Sequence, residues 1–299
     1  MQPPPERAGL IRTGGELLGV LPYTVRWAQV GPNRRNCSGG RAWTGGDRQG
    51  LSCSGQLARG KERPVSTTAS NELEHHMFPV VRYSQVGEGV AGPIAVAGSS
   101  FTFGEGTLVT CWHCVKQPLG TDEVYGIAVR RGGIGSPYEF CSIDNLERDR
   151  NGADIALGHI DWMPGRGLTL ANDPVQWGER VETYGYPFPL AVPDQMYPGY
   201  KALHVYSRFL RGYVTRLARD ENERPVIDLD MLCPPGLSGA PVIREDRRDV
   251  IGVIFEEQTT TMYERTVIFG RAHHLDVLRS ARAAVTEDRS LIEHLQQTD

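Results

Sequence analysis

From Met77 onward the chain is cut into short apolar runs rich in β-branched and aromatic residues, separated by Gly, Pro, Asn and Asp. GPIAVAG, GTLVTCW, DIALGHI, ERVETYGYP, RPVIDLDML, GAPVIRE and DVIGVIF are examples. Runs of this length buried between turn signals cannot supply the sustained 3.6-residue period that helices need, and they point to an all-β sandwich or barrel. Helical spacing emerges only near the end, where LDVLRSARAA places Leu275, Val277, Leu278 and Ala281 on one face. A shorter helical piece in DRSLIEHLQQ carries Leu291, Ile292 and Leu295. A β domain followed by a C-terminal helix is therefore expected.

Residues 1–76 differ in kind. They are rich in Gly, Pro, Arg and Ser, show no sustained period, and carry ten Lys/Arg against six Asp/Glu, a net +4 that leaves −8 for the rest of a chain whose total is −4. Such a stretch cannot bury enough apolar surface to offset its ordering entropy, so it reads as a low-order extension. Initiation at Met77, just before FPVVRYSQV, would yield a compact chain without it. The remainder divides into a domain over 77–285 and a helical tail over 286–299.

With 299 residues, 39% of them hydrophobic, the chain has ample core material. Basic residues form no stripe that would track a phosphate backbone, so no nucleic-acid partner is expected. No apolar stretch approaches a bilayer span, and the first residues, MQPPPERAGL, lack a basic start followed by an apolar segment. This reading excludes a membrane partner and places the protein in the cytoplasm. Six cysteines, Cys37, Cys53, Cys111, Cys114, Cys141 and Cys233, are sparse for a disulfide scaffold and are expected as free thiols. Cys111-x-x-Cys114 has no second pair at metal spacing, so neither metal nor cofactor is called for.

Three places carry chemistry. In GLSGAP, Ser238 lies among glycines that allow a tight turn and an uncrowded hydroxyl, and the N–H groups of Gly236 and Ser238 could converge on a developing oxyanion. The alternative is a plain Gly/Ser/Pro turn. His113 follows an apolar strand in GTLVTCWHCV, a setting that suits either a general base or a partly buried strand-end histidine. Asp154 opens the apolar run of ADIALGHI, where a rigid backbone could aim a carboxylate inward. On its own it is hard to prefer over Asp144 or Asp161.

Taken together, TCWHCV, ADIAL and GLSGAP resemble the T-A-x-H-C, D-[IV]-A-L and G-x-S-G-[GA]-P stretches of the chymotrypsin-like serine peptidases, in the same order. His113 precedes Asp154 by 41 residues and Asp154 precedes Ser238 by 84, which suits a histidine and aspartate in one barrel and a serine in the next. The resemblance runs from about residue 77 to about 285. It includes GERVETYGYP as the opening strand of the second barrel and VIGVIF as the substrate-pairing strand. In style it is nearer the bacterial high-temperature-requirement and glutamyl peptidases than digestive trypsins.

The resemblance implies two antiparallel six-stranded β-barrels with a C-terminal helix, barrel one over about 77–170 and barrel two over about 171–272. It further implies a serine endopeptidase acting on protein or peptide through a His113–Asp154–Ser238 triad, an acyl-enzyme, and an oxyanion hole at Gly236 and Ser238. Leu232 would fall at the base of the primary pocket, where trypsins carry an aspartate. Phe255, Glu256 and Glu257 would line the pairing strand, each glutamate facing either pocket or solvent. Leu237 stands where zymogens of the family place an activating aspartate. Gly98 lies near where the usual disulfide partner of Cys114 would fall. A non-catalytic peptide-binding module on the same barrels is the chief alternative. An esterase on an α/β-hydrolase scaffold would need a strand–Ser–helix elbow, and the proline at 241 argues against a helix after Ser238.

Overall fold

The apolar runs become strands. The computed structural model of the protein describes residues 75–86, 90–104, 106–129, 138–161, 167–193, 201–262 and 265–298. Residues 1–74, which hold nearly all of the expected extension together with Cys37 and Cys53, lie outside the described residues.

The first sheet contains β1 (Met77–Val86), β2 (Val90–Phe103), β3 (Thr107–Thr110), β4 (Glu123–Val129), β5 (Glu139–Ser142), β6 (Asp144–Arg148) and β7 (Ala156–His159), in the order β5-β4-β1-β2-β3-β7-β6. Its ladder is open, but the two edge strands are consecutive in the chain and only Ile143 lies between them. The Ile143 N–H donates to the Tyr125 carbonyl at 3.2 Å, and its side chain presses on Gly158 of β7 so closely that no Cβ would fit there. A bent β5–β6 run thus links both edges, leaving six strand positions around the core.

The second sheet closes on itself. It comprises β8 (Thr169–Leu170), β9 (Arg180–Gly185), β12 (Arg208–Arg219), β13 (Pro225–Leu229), β14 (Pro241–Arg244), β15 (Asp249–Met262) and β16 (Arg265–His274). The order β14-β9-β12-β13-β16-β15 is completed by pairing of β14 with β15, and β8 adds to β15 in parallel. β10 (Leu190–Pro193) and β11 (Lys201–His204) form a separate hairpin. The protein is mostly β, in the chymotrypsin-like double-barrel arrangement, and Ser238 is followed by strand β14 rather than a helix, which removes the α/β-hydrolase alternative.

The apolar runs that mark strands in the sequence supply what is buried. Val80, Val81, Phe101, Phe103, Leu108, Ile127 and Leu157 fill the first barrel, and Val214, Ile227, Leu229, Val242, Ile243 and Val253 fill the second, all fully buried. Each such side chain stabilises the fold by roughly 1.5–3 kcal/mol.

Among the described residues three short helices accompany the strands: α1 (Trp112–Val115), α2 (Leu275–Ser280) and α3 (Leu291–Thr298). α2 is shorter than the helical period suggests, because Ala281 is already extended and Ala284–Thr286 forms a separate 3₁₀ turn. α3 docks through fully buried Leu291, whose N–H donates to the Ala281 carbonyl. Among the described residues no helix is long and apolar enough to cross a membrane.

Candidate active site

The strand β3 is buried throughout and runs through Cys111 into α1, which turns His113 out at the strand end while Cys114 and Val115 anchor the helix in the core. Asp154 holds that turn by three contacts. Its Oδ1 accepts the His113 backbone N–H at 2.8 Å, its Oδ2 lies 2.6 Å from His113 Nδ1, and its carbonyl accepts the Trp112 N–H at 3.3 Å. The imidazole is thereby fixed in position, tautomer and orientation.

Asp154 is itself presented by a loop that the sequence did not single out. The buried Asp149 carboxylate accepts N–H groups from Asn151, Ala153 and Arg282, and the Asp149 N–H donates to the Ile155 carbonyl. The fully buried Ala153 and Ile155 flank Asp154 and leave its carboxylate half-buried.

Electrostatics couple the pair. The Asp154 hydrogen bond, then Cys114 beside it, raise the His113 pKa to about 10 against the opposing effect of burial. Burial alone would raise Asp154, but the His113 hydrogen bonds and charge, with a smaller contribution from His273, hold its carboxyl below the usual range.

The serine arrives from the second barrel. Gly236 and Gly239 both take left-handed backbone, φ +98° and +90°, and a Cβ at Gly239 would collide with the Ser99 carbonyl and the Thr110 hydroxyl. Leu237 is fully buried against Gly185, an apolar anchor where an activating aspartate would otherwise pair.

Ser99 of β2 stitches this loop to the first barrel. Its N–H donates to the Ser238 carbonyl at 2.8 Å, and its hydroxyl donates to the Gly236 carbonyl at 2.7 Å while accepting the Tyr186 N–H at 3.0 Å. The Thr110 hydroxyl donates to the Ser99 carbonyl at 2.7 Å. Cys114, the neighbour of His113, sets its Sγ 3.7 Å from the same Ser238 carbonyl. The Ser238 loop and α1 are thus packed together through one polar seam.

The Ser238 hydroxyl is turned to the Phe255 carbonyl at 3.4 Å. That carbonyl is available because Phe255 is the extra residue of a bulge: Ile254 pairs with Ala272 and Glu256 with Arg271, leaving Phe255 out of the ladder. Among the described residues the N–H groups of Gly236 and Ser238 make no hydrogen bond.

The expected specificity residues scatter. Leu232 is 58% exposed, and the side chain that turns inward from its segment is the buried Cys233, whose Sγ fills the space a Gly270 side chain would need. Glu256 pairs with Arg271 at 3.8 Å, and Glu257 accepts the Cys233 N–H at 3.0 Å. Burial, then Glu257, push the Cys233 thiol up to about 12.

Cys111, His113 and Asp154 bring potential metal-ligating atoms within 4.8 Å of one another. They fit a metal poorly: Cys111 Sγ is fully buried, already donates to the Ile254 carbonyl at 3.2 Å, and is held as a thiol because burial raises its pKa well above the ordinary value. Cys111, Cys114 and Cys233 are free thiols, and a Cβ built at Gly98 would stand 2.6 Å from Cys114 Sγ, so glycine occupies the place where a disulfide partner would have to be.

Residues 98–253, more than half of the chain, match the sequence model of the trypsin-like peptidase domain. The chain belongs to the trypsin-like peptidase family. The matched span starts at Gly98, includes all three polar residues of the site, and ends at Val253 of β15. Among solved structures, the active form of the Rv3671c protease from M. tuberculosis is similar at 16% identity, over 77% of this chain and 89% of that one, with a TM-score of 0.45. Its inactive form is similar at 16% identity over 73% and 92%, also with a TM-score of 0.45. No curated protein sequence matches the chain.

Proposed function

We propose that this trypsin-like peptidase is a serine endopeptidase in which Ser238 is the nucleophile, His113 the general base and Asp154 the group that orients it. The observation that carries the reading is the grip of Asp154 on His113 through both carboxylate oxygens, beside a glycine-flanked serine stitched to the same helix.

In this mechanism the Ser238 hydroxyl swings from the Phe255 carbonyl to His113 Nε2, gives up its proton and attacks the scissile carbonyl. The oxyanion of the tetrahedral intermediate accepts hydrogen bonds from the Gly236 and Ser238 N–H groups. Removal of one such donor costs about 2.7–4 kcal/mol in comparable sites. His113 hands its proton to the leaving amine, and water, deprotonated by the same ring, hydrolyses the acyl-enzyme. Leu232, Phe255, Glu256 and Glu257 are the residues proposed to contact a bound peptide.

The test is covalent labelling of the full-length chain by a fluorophosphonate, compared with Ser238→Ala and His113→Ala. Labelling in the wild type that is lost in both variants is the expected result. The resting contact of Ser238 with Phe255 instead of His113 favours one second reading, a peptide-binding module on the same barrels, which would lead if a folded wild type is not labelled.

A further inference from the structure

Behind the site lies a residue that the proposed chemistry leaves unused. His273 is the last but one residue of β16, paired with Val226 of β13 on one side and Val253 of β15 on the other, and is 2% exposed. Its ring stacks on Phe255, with centroids 4.2 Å apart and planes 17° from parallel. Neither ring nitrogen has a hydrogen-bond partner among the described residues.

A buried polar atom left unpaired costs roughly 1–3 kcal/mol. Phenylalanine would fill this stacked, apolar position without that cost. A histidine kept here therefore needs an acceptor, and Asp154 supplies the nearby charge. The carboxylate and backbone carbonyl of Asp154 act on the His273 ring, and His273 in turn acts on Asp154. Desolvation lowers the His273 pKa to about 4 in spite of that attraction, so the ring is neutral near pH 7 and keeps one N–H to donate.

We propose that His273 is a positioning residue for the triad, donating a ring N–H to Asp154 as substrate tightens the site while its stack on Phe255 holds the carbonyl that receives Ser238. Active-site hydrogen bonds are commonly long or misaligned before substrate binds and close only in the engaged complex. Asp154 already accepts from the His113 backbone and ring. A third donor from the opposite barrel would stop the carboxylate from rotating away when His113 becomes charged. The aromatic contact with Phe255 couples the same ring to the serine side. The inference rests on the triad assignment made above.

The experiment measures fluorophosphonate labelling of the full chain, separating the maximal rate kinact from the probe affinity KI, in the wild type, His273→Phe, His273→Asn and His273→Gln, with melting temperatures alongside. His273→Phe keeps the stack and removes the donors. It is expected to lower kinact about tenfold or more while leaving KI and the melting temperature unchanged, since small misplacements of catalytic groups cost rate rather than affinity. One of the two amides, which place an N–H near Nδ1 or Nε2, is expected to recover most of the rate. An unchanged kinact in His273→Phe overturns the proposal, as does a loss that follows a lowered melting temperature or one that neither amide reverses. A folded wild type that is not labelled removes the triad assignment and this inference with it, a result distinct from a labelled wild type with indifferent His273 variants.

Discussion

The two barrels bring unequal halves to the site. The first delivers a finished unit: His113 and Asp154 are joined by two hydrogen bonds through both carboxylate oxygens, and Asp149 clamps the loop beneath them. The second delivers a braced backbone with an uncommitted tip. Its loop is pinned by Ser99 and by two left-handed glycines, yet the Ser238 hydroxyl rests on Phe255. Orientation of His113 is built into the fold, whereas engagement of Ser238 as the proposed nucleophile needs one side-chain rotation.

Breaking the finished half should have the largest effect. Asp154→Asn keeps the shape of the carboxylate but donates where it should accept, forcing His113 into the wrong tautomer. The fluorophosphonate labelling rate is expected to fall about 10⁴-fold, with a lowered melting temperature at neutral pH where the His113–Asp154 pair stabilises the fold. A fall of less than tenfold would show that Asp154 anchors the helix rather than the chemistry.

Breaking the braced half should trade rate for stability. Gly239→Ala forces a side chain into a left-handed position against the Ser99 carbonyl, and about 2–4 kcal/mol of destabilisation with loss of labelling is expected in denaturant titration. Ser99→Ala is milder. It removes the hydroxyl that accepts the Tyr186 N–H and donates to the Gly236 carbonyl, at a cost of about 1–3 kcal/mol, and slows labelling without disturbing the His113–Asp154 pair. A downfield His113 Nδ1–H proton resonance that survives in Ser99→Ala but not in Asp154→Asn would separate the two halves directly.

Much of the site was legible because its parts are local. GLSGAP encodes its own turn, TCWHCV its own strand end, and the order of three motifs implied two barrels. The supports were not legible. Ser99 and Asp149 act through partners more than 80 residues away in the chain, and nothing in SSF or RDRNGAD announces those contacts; His273 meets Phe255 only because β16 pairs with β15. α2 ends before its hydrophobic period does for the same reason: Asn151 binds the Ser280 carbonyl and Asp149 the Arg282 N–H, so tertiary partners capture the groups that another helical turn would use. The His76 carbonyl accepts the Thr102 N–H of β2, a contact that a chain starting at Met77 would lack.

The pH dependence distinguishes the halves by sign. His113 has a folded pKa raised from 6.5 to about 10, so the stability it contributes is fully present below pH 6.5 and is lost as pH rises toward 10. His273 is shifted the other way, to about 4, so its neutral burial is accommodated above pH 6.5 and becomes destabilising as pH falls toward 4. The proposed base works only when neutral. Labelling should therefore climb between about pH 6.5 and 10, over the same interval in which the His113–Asp154 pair ceases to stabilise the fold. Melting temperature and labelling rate, followed together across that range, are expected to move in opposite directions. If both instead rise together, or the labelling limb lies below pH 6.5, the carboxylate is not holding the ring as an imidazolium in the resting site, and the first barrel's half is no more finished than the second's.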